Sequence, residues 1–322
     1  MKHFFIVNPA AGKGKILPAL LQRITFACQK LGIEYEIHHT STVGDATAFA
    51  KKKCEEITDD TLRFYACGGD GTMNEVANAL AGVKHAELAV IPIGTGNDFI
   101  KSFSHEENFS DIEKMILGKS IATDIIKFND KYSLNILNIG FDCDVVKRVE
   151  EIKRESWVPH GMAYTMAVMQ VITREYGTTF KVTTDKGETF DGEHLLVLFA
   201  NAQYYGGGYR SAPKAMLNDG LMDICIVDRV SRPTFMKLLP KYKAGTHLDN
   251  PEKTPFIHYT QCKKAVFESE NVVGVCADGE ISPAKRLEIE VVPHGINVVV
   301  PVGSKCTAWV RRHTEHKNTS ND

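Results

Sequence analysis

The chain lacks any run approaching the ~18 consecutive apolar residues of a membrane-crossing helix, so no integral membrane helix is expected. The opening Met1-Lys2-His3-Phe4-Phe5-Ile6-Val7 has neither the apolar length nor the cleavage site of a secretory signal. Its eight cysteines never form C-x-x-C, and Cys67, Cys225 and Cys276 sit inside apolar runs. They read as reduced, buried thiols of a cytoplasmic protein. The twelve histidines include no H-E-x-x-H, and His38-His39 fall next to each other in a strand-like run, on opposite faces. A histidine metal site is therefore not expected. An excess of positive charge is missing too. Lys plus Arg number 38 against 40 Asp plus Glu, a net charge of -2, which argues against nucleic acid as a partner and against general attraction to anionic membranes. Lys51-Lys52-Lys53 and Lys263-Lys264 are local clusters of the kind that usually face solvent. Finally, there is no G-x-x-x-x-G-K-[ST] loop and no clean G-x-G-x-x-G.

What the chain does have is three glycine-rich turns, each after a short strand-like run. His3 to Val7 leads into Asn8-Pro9-Ala10-Ala11-Gly12. Leu62 to Cys67 leads into Gly68-Gly69-Asp70-Gly71-Thr72-Met73-Asn74. Leu88 to Ile91 leads into Gly94-Thr95-Gly96-Asn97-Asp98. Glycines let the backbone approach a ligand closely and present its N–H groups, which suits phosphate. Any one of these turns reads equally as an ordinary strand-to-helix connection, with Asp70 as a cap. Three in succession converge at the carboxyl edge of an open α/β sheet, where ligands bind.

Up to about Lys119 the pattern alternates. Strands are expected at 3–7, 35–39, 62–67 and 88–91, and helices at 16–31, 45–56, 73–80 and 111–117, the last opened by a Ser110/Glu113 capping box. That order implies a doubly wound, mostly parallel sheet. Beyond Ile121 strands follow one another: 124–128, 132–139, 180–184, 194–200, 222–227, 264–267, 286–292 and 296–300. Hairpin turns are expected at Asp185-Lys186-Gly187 and His294-Gly295. This texture implies a C-terminal antiparallel β-sandwich. The expected division is 1–120 for an α/β nucleotide-binding domain and 121–300 for the sandwich. Residues 301–313 would return to the first domain, and 314–322 form a frayed tail. Two helices interrupt the sandwich, 161–175 and 231–243. The first is apolar nearly all round (Met162, Tyr164, Met166, Val168, Met169, Val171, Ile172) and reads first as a buried packing helix, second as a wall for acyl chains.

The ordered set Asn8-Pro9-Ala10-Ala11-Gly12, Gly68-Gly69-Asp70-Gly71-Thr72 and Gly94-Thr95-Gly96-Asn97-Asp98 resembles the diacylglycerol kinase catalytic domain family, above all its bacterial lipid kinases. The likeness continues through Gly206-Gly207-Gly208, Ala212-Pro213, Asp219-Gly220-Leu221-Met222-Asp223 and Asp278-Gly279-Glu280. It implies an ATP-dependent lipid kinase that acts on a membrane lipid, diacylglycerol first, with Mg²⁺, in the cytoplasm and transiently at the membrane. NAD kinase-like soluble kinases share Gly-Gly-Asp-Gly and stand as the alternative, as does a lipid-binding regulatory protein without turnover. A homodimer is left open.

The resemblance also implies site residues. Asn8, Thr40, Gly68, Gly69, Asp70, Gly71, Thr72, Met73, Asn74, Thr95, Asn97 and Asp98 would surround the nucleotide. Asp278, with Asp70 and Glu280, would carry the chemistry, Asp278 as proton acceptor and Asp70 as its rival. From the residues alone, Asp278-Gly279 reads as a type I′ hairpin turn, and Thr40 or Thr95 as a local side-chain turn. A structural Mg²⁺ would be held by the carbonyls of Met216 and Leu221 and the carboxylate of Asp219, oxygen donors that suit this ion. Trp157–Ile172, with Lys147, Arg148, Lys153 and Arg154 nearby, is the expected membrane-facing element.

Overall fold

The computed structural model describes residues 1–14, 16–94, 96–154, 163–173 and 177–309. Four parallel strands open the chain: β1 (Lys2–Val7), β2 (Tyr35–His39), β3 (Leu62–Gly68) and β4 (Ala86–Pro92). They lie in the order β2-β1-β3-β4. All of β3 is buried, as is β1 from His3 to Val7, which is why these strands read as continuous apolar runs rather than alternating ones. Helices α1 (Leu17–Leu31), α2 (Asp45–Glu56) and α3 (Asp70–Leu80) make the crossovers. Because every pairing is parallel, the ends of all four strands deliver their turns to one edge.

The second half is antiparallel. Its elements are β5 (Lys119–Phe128), β6 (Lys131–Ser133), β7 (Ile136–Gly140), β8 (Thr178–Thr184), β9 (Thr189–Ala200), β10 (Met222–Asp228), β11 (Ile257–Cys262), β12 (Lys264–Ala277) and β13 (Glu280–Val300). Apolar side chains from β5, β7–β10, β12 and β13, among them Ile126, Phe180, Phe199 and Phe267, fill the sandwich interior. A second cluster lies under α5 (Phe141–Arg154), α6 (Ala163–Ile172) and α7 (Arg232–Ala244). In α6, Ala167, Val168, Val171 and Ile172 are buried while Met169 is exposed, so the packing role expected of this helix dominates on its inner face. Met162, Thr95, Trp157 and the tail 314–322 lie outside the described residues.

The two halves share strands. Residues 119–123 of β5 pair with 296–300 of β13, and 125–128 pair with 289–292. The end of β13 also adds in parallel to β4. The strand β5 therefore runs straight through the boundary expected at Ile121. No hairpin forms at His294-Gly295. There β13 carries a bulge, with His294 at φ 53°, and continues along the same partner. The expected Ser110 capping box is also replaced. Asp111 caps α4 (Ile112–Ile116), its side chain accepting the Lys114 N–H, because the helix starts one residue later than expected and the N-cap position falls on Asp111, an equally good cap.

Candidate active site

The carboxyl-edge turns interlock through backbone contacts. Asn8 N–H donates to the Cys67 carbonyl at 3.1 Å, and the N–H groups of Ile93 and Gly94 both donate to the Gly68 carbonyl. The Asn8 side-chain amide donates to Thr72 Oγ1 at 3.2 Å. Thr40, following β2, is fixed by its N–H to the Val7 carbonyl at 3.0 Å. Gly94 must be glycine for steric reasons: a Cβ there would lie 2.6 Å from Gly69 Cα, backbone against backbone. The turns thus form one surface around the start of α3.

Helix α3 begins at Asp70, three residues earlier than its apolar pattern predicts. The Met73 N–H closes its first turn on the Gly69 carbonyl, and the Met73 side chain is buried. The N–H groups of Asp70, Gly71 and Thr72 precede that bond, and the N-terminal end of a helix favours an anion. Asp70 ties the second turn to the third: its two oxygens accept the N–H groups of Asn97 and Asp98, each at 3.0 Å. Burial, reinforced by the like charge of Asp98, holds the Asp70 carboxyl above its ordinary value, against the pull of those two N–H groups. Asp98 accepts Lys101 Nζ on one oxygen and the Gly207 N–H, at 2.8 Å, on the other. Lys101 was not foreseen as a site residue, although Asp98 and Lys101 three residues apart carry the signal of a local pair.

The second half contributes the tip of the β12–β13 hairpin. Asp278 and Gly279 have φ of 49° and 96°, the paired positive values of a type I′ turn. The turn reading and the functional reading of Asp278 are therefore compatible. The Asp278 carboxylate is 7% exposed and accepts four hydrogen bonds. Oδ1 takes Ser133 Oγ at 2.7 Å and the N–H groups of Asn135 and Ile136, both at 3.0 Å. Oδ2 takes the Leu134 N–H at 2.7 Å. Burial nevertheless pushes this carboxyl up to about 6, the four donors opposing it. Beside it the hairpin touches α3: Asn74 Nδ2 donates to the Ala277 carbonyl at 3.3 Å, and a Cβ on Gly71 would lie 3.2 Å from Glu280 Oε1. The glycine turn and the Asp278 turn are therefore neighbours.

The segment 216–221 lies elsewhere, against β5 and β13. Asp219 Oδ1 accepts the Leu221 N–H at 3.0 Å. Fully buried Asp124 accepts the N–H groups of Gly220 and His294, each at 2.7 Å. Burial, then the nearby charge of Asp124, raises the Asp219 carboxyl. Two carboxylates within reach of each other, and backbone carbonyls in the same turn, form an oxygen-rich environment that a hard cation would relieve. Among the described residues no group of three or more His, Cys, Asp or Glu side chains could hold a metal, so a cation here would depend on carbonyl oxygens.

A parallel nucleotide-type sheet whose glycine-rich turns meet the tip of an antiparallel sandwich hairpin is the architecture of a two-domain phosphotransferase. Comparison with known proteins makes the class specific. Residues 2–128 match the diacylglycerol kinase catalytic domain, and residues 135–300 match the YegS C-terminal NAD kinase beta sandwich-like domain. The "Probable lipid kinase YegS-like" protein of Shewanella frigidimarina (strain NCIMB 400) is 31% identical over 257 residues, 78% of this chain and 81% of its own. The diacylglycerol kinase of Bacillus subtilis (strain 168) is 28% identical over 303 residues, 92% of this chain and 95% of its own. A diacylglycerol kinase crystal structure from Bacillus anthracis str. Sterne superposes with a TM-score of 0.70 at 25% identity, covering 94% of this chain and 97% of that one. The chain belongs to this family of bacterial diacylglycerol and YegS-like lipid kinases. As a member it is an ATP-dependent enzyme that phosphorylates a lipid.

Proposed function

We propose that the lipid is diacylglycerol, converted to phosphatidic acid, with MgATP lying along the three glycine-rich turns and the lipid hydroxyl presented to Asp278. The observation that carries this reading is the hydrogen bond from Asn74 of α3 to the Ala277 carbonyl, with Glu280 so near Gly71 that a Cβ there would lie 3.2 Å from it, which makes the 278–280 hairpin tip a neighbour of the α3 N-terminus. Phosphoryl transfer needs donors on the phosphates and a group that orients the attacking hydroxyl. The N–H groups of Asp70, Gly71 and Thr72 supply the first, flanked by Asn8, Thr40 and Asn97. Asp98 sets Lys101 beside them. Asp278 accepts the hydroxyl proton: a carboxyl near 6 is ionised at neutral pH yet basic enough to take it. Among the described residues Oδ2 accepts one hydrogen bond against three at Oδ1, so Oδ2 keeps a lone pair for that proton. Glu280 offers a second carboxylate for the cation that accompanies the nucleotide.

Asp70 is the alternative base, favoured by one observation: it accepts two hydrogen bonds where Asp278 accepts four. In that reading Asp278 anchors 133–136 instead. A structural Mg²⁺ would be held by Asp219 with the carbonyls of Met216 and Leu221, and its charge would brace the 216–221 turn against Asp124.

No helix among the described residues is long and apolar enough to cross a membrane. In the proposed reading the chain is cytoplasmic and reaches its lipid by transient surface contact. Lys147 and Arg148 are weaker anchors than their charges imply, because Asp144 lies 3.5 Å from the first and Glu151 2.7 Å from the second. The substrate is tested by following the labelled γ-phosphoryl group into diacylglycerol, phosphatidylglycerol, sphingosine and NAD. Product on diacylglycerol is expected. Product on NAD alone would point to a soluble kinase, and tight lipid binding without product to a regulatory protein.

A further inference from the structure

Residues 205–209 form a turn that reaches from the second half to the 94–98 turn, and its root is held by a carboxylate remote from the nucleotide turns. At the base, Tyr205 N–H donates to the Tyr209 carbonyl at 3.0 Å and Tyr209 N–H returns to the Tyr205 carbonyl at 2.8 Å. Gly206, Gly207 and Gly208 between them have φ of 62°, 79° and 106°, values that side chains rarely adopt. The result is a narrow projection from the sandwich. Its tip is the Gly207 N–H, 2.8 Å from Asp98 Oδ2. Asp98 in turn donates its own N–H to Asp70 at 3.0 Å.

The root points the other way. Both tyrosine side chains turn into the core beneath α5, α6 and α7, each 6% exposed. There the Tyr205 hydroxyl donates to Asp142 Oδ2, the same oxygen that Tyr242 of α7 reaches at 3.4 Å. Asp142 is 4% exposed, lined by Phe141, Val168, Leu196 and Phe235. A carboxylate in such surroundings is costly unless it is hydrogen-bonded, so the two hydroxyls and Asp142 hold one another in place.

We propose that Asp142 is a positioning residue for the nucleotide: through Tyr205 it sets the 205–209 turn, whose Gly207 N–H fixes Asp98 and thereby the Asp70 and 94–98 side of the cleft. The inference rests on the family's use of ATP and on the proposed placement of the nucleotide along the 94–98 turn, and on neither the lipid assignment nor the choice of base. Asp142 touches no reacting atom. It acts across about three hydrogen bonds, each of which must hold for the next to be placed.

The test reads equilibrium binding of MgATP to the full chain, which needs no lipid turnover and so is separate from the substrate question. Tyr205→Phe cuts the tie at its root, Asp142→Ala removes the acceptor, and Asp142→Asn keeps an oxygen acceptor in place. Tyr242→Phe removes the bond that does not lead to the turn. Tyr205→Phe and Asp142→Ala are each expected to weaken MgATP binding about tenfold, with Asp142→Asn and Tyr242→Phe within about twofold of the parent. KM for the lipid should stay within about twofold throughout. If Asp142→Ala does not fold, Tyr205→Phe decides. Unchanged MgATP affinity in Tyr205→Phe, or an equal loss in Tyr242→Phe, would overturn the assignment and leave Asp142 as part of the core.

Discussion

Asp70 and Asp278 are the same residue type at the same kind of place, the end of a central strand, yet their surroundings differ. Asp70 is held symmetrically, one N–H on each oxygen, both from the neighbouring 94–98 turn. Asp278 is held asymmetrically, three donors on Oδ1 and one on Oδ2, all from residues 133–136. Burial raises both carboxyls. Counted oxygen by oxygen, Asp278 Oδ2 and both oxygens of Asp70 each accept one hydrogen bond, so the count alone does not separate their roles. What separates them is the partner: Asp70 is tied to the 94–98 turn of its own half, and Asp278 to residues 133–136 of the other. On the proposed reading the first shapes the nucleotide surface and the second receives the proton.

The largest break on the nucleotide side is Asp70→Asn. One of the two N–H groups would then face an amide NH₂, and the 94–98 turn would lose its place. We expect kcat/KM for MgATP to fall about 10²-fold, with KM for the lipid little changed, in steady-state assays that vary each substrate separately. Gly94→Ala probes the same surface by steric means. Its Cβ would meet Gly69 Cα, and MgATP KM should rise about tenfold while the Asp278 side is untouched. An equal rise in lipid KM would show that the two sides are not separable. Asp219→Ala lies outside both turns and should cost only about threefold in activity at saturating Mg²⁺. Its mark is a higher Mg²⁺ requirement and faster proteolysis near 213–223, and an unchanged Mg²⁺ dependence would remove the proposed cation site.

The smallest effect is on pH. A base must be ionised, so kcat/KM should rise with pH and level off above about 6, where the Asp278 carboxyl titrates. Stability runs the opposite way. Because the folded value lies above the unfolded one of about 3.9, the contribution is full below that pH and lost as pH rises through about 6. Asp142, also pushed by burial to about 6, shares that sign. Asp142→Asn should therefore gain thermal stability at pH 8 relative to pH 5 while keeping the acid limb of the rate profile.

Much of the nucleotide half was legible because its signals are local. The apolar runs of β1 to β4 and the glycines after them fix strand, turn and edge within a few residues of each other. The start of α3 was misjudged because Gly69, Asp70 and Gly71 have poor helix propensity, and the interlocked turns override it. The sandwich was less legible. The amphipathic run 141–154 directly follows a strand and was not separated from it, and β11 carries too many polar residues to stand out. Within the site, Asp70 and its glycines were visible, whereas the donors that surround Asp278 lie 142 to 145 residues away in sequence. Likewise nothing near Asp142 announces its partner Tyr205, 63 residues on. Only the fold brings such pairs together.

Single-turnover transfer by Asp278→Asn, started from a preformed MgATP complex whose dissociation constant is measured in the same protein, tests the central claim most directly. The amide keeps the size of the side chain and an acceptor for the three donors at Oδ1, sets its NH₂ against the Leu134 N–H alone, and cannot accept the hydroxyl proton. The account predicts MgATP affinity within about threefold of the parent and a transfer rate lower by at least about 10³-fold. Near-parental transfer by Asp278→Asn, with Asp70→Asn inactive under the same conditions, would contradict it and move the base to Asp70.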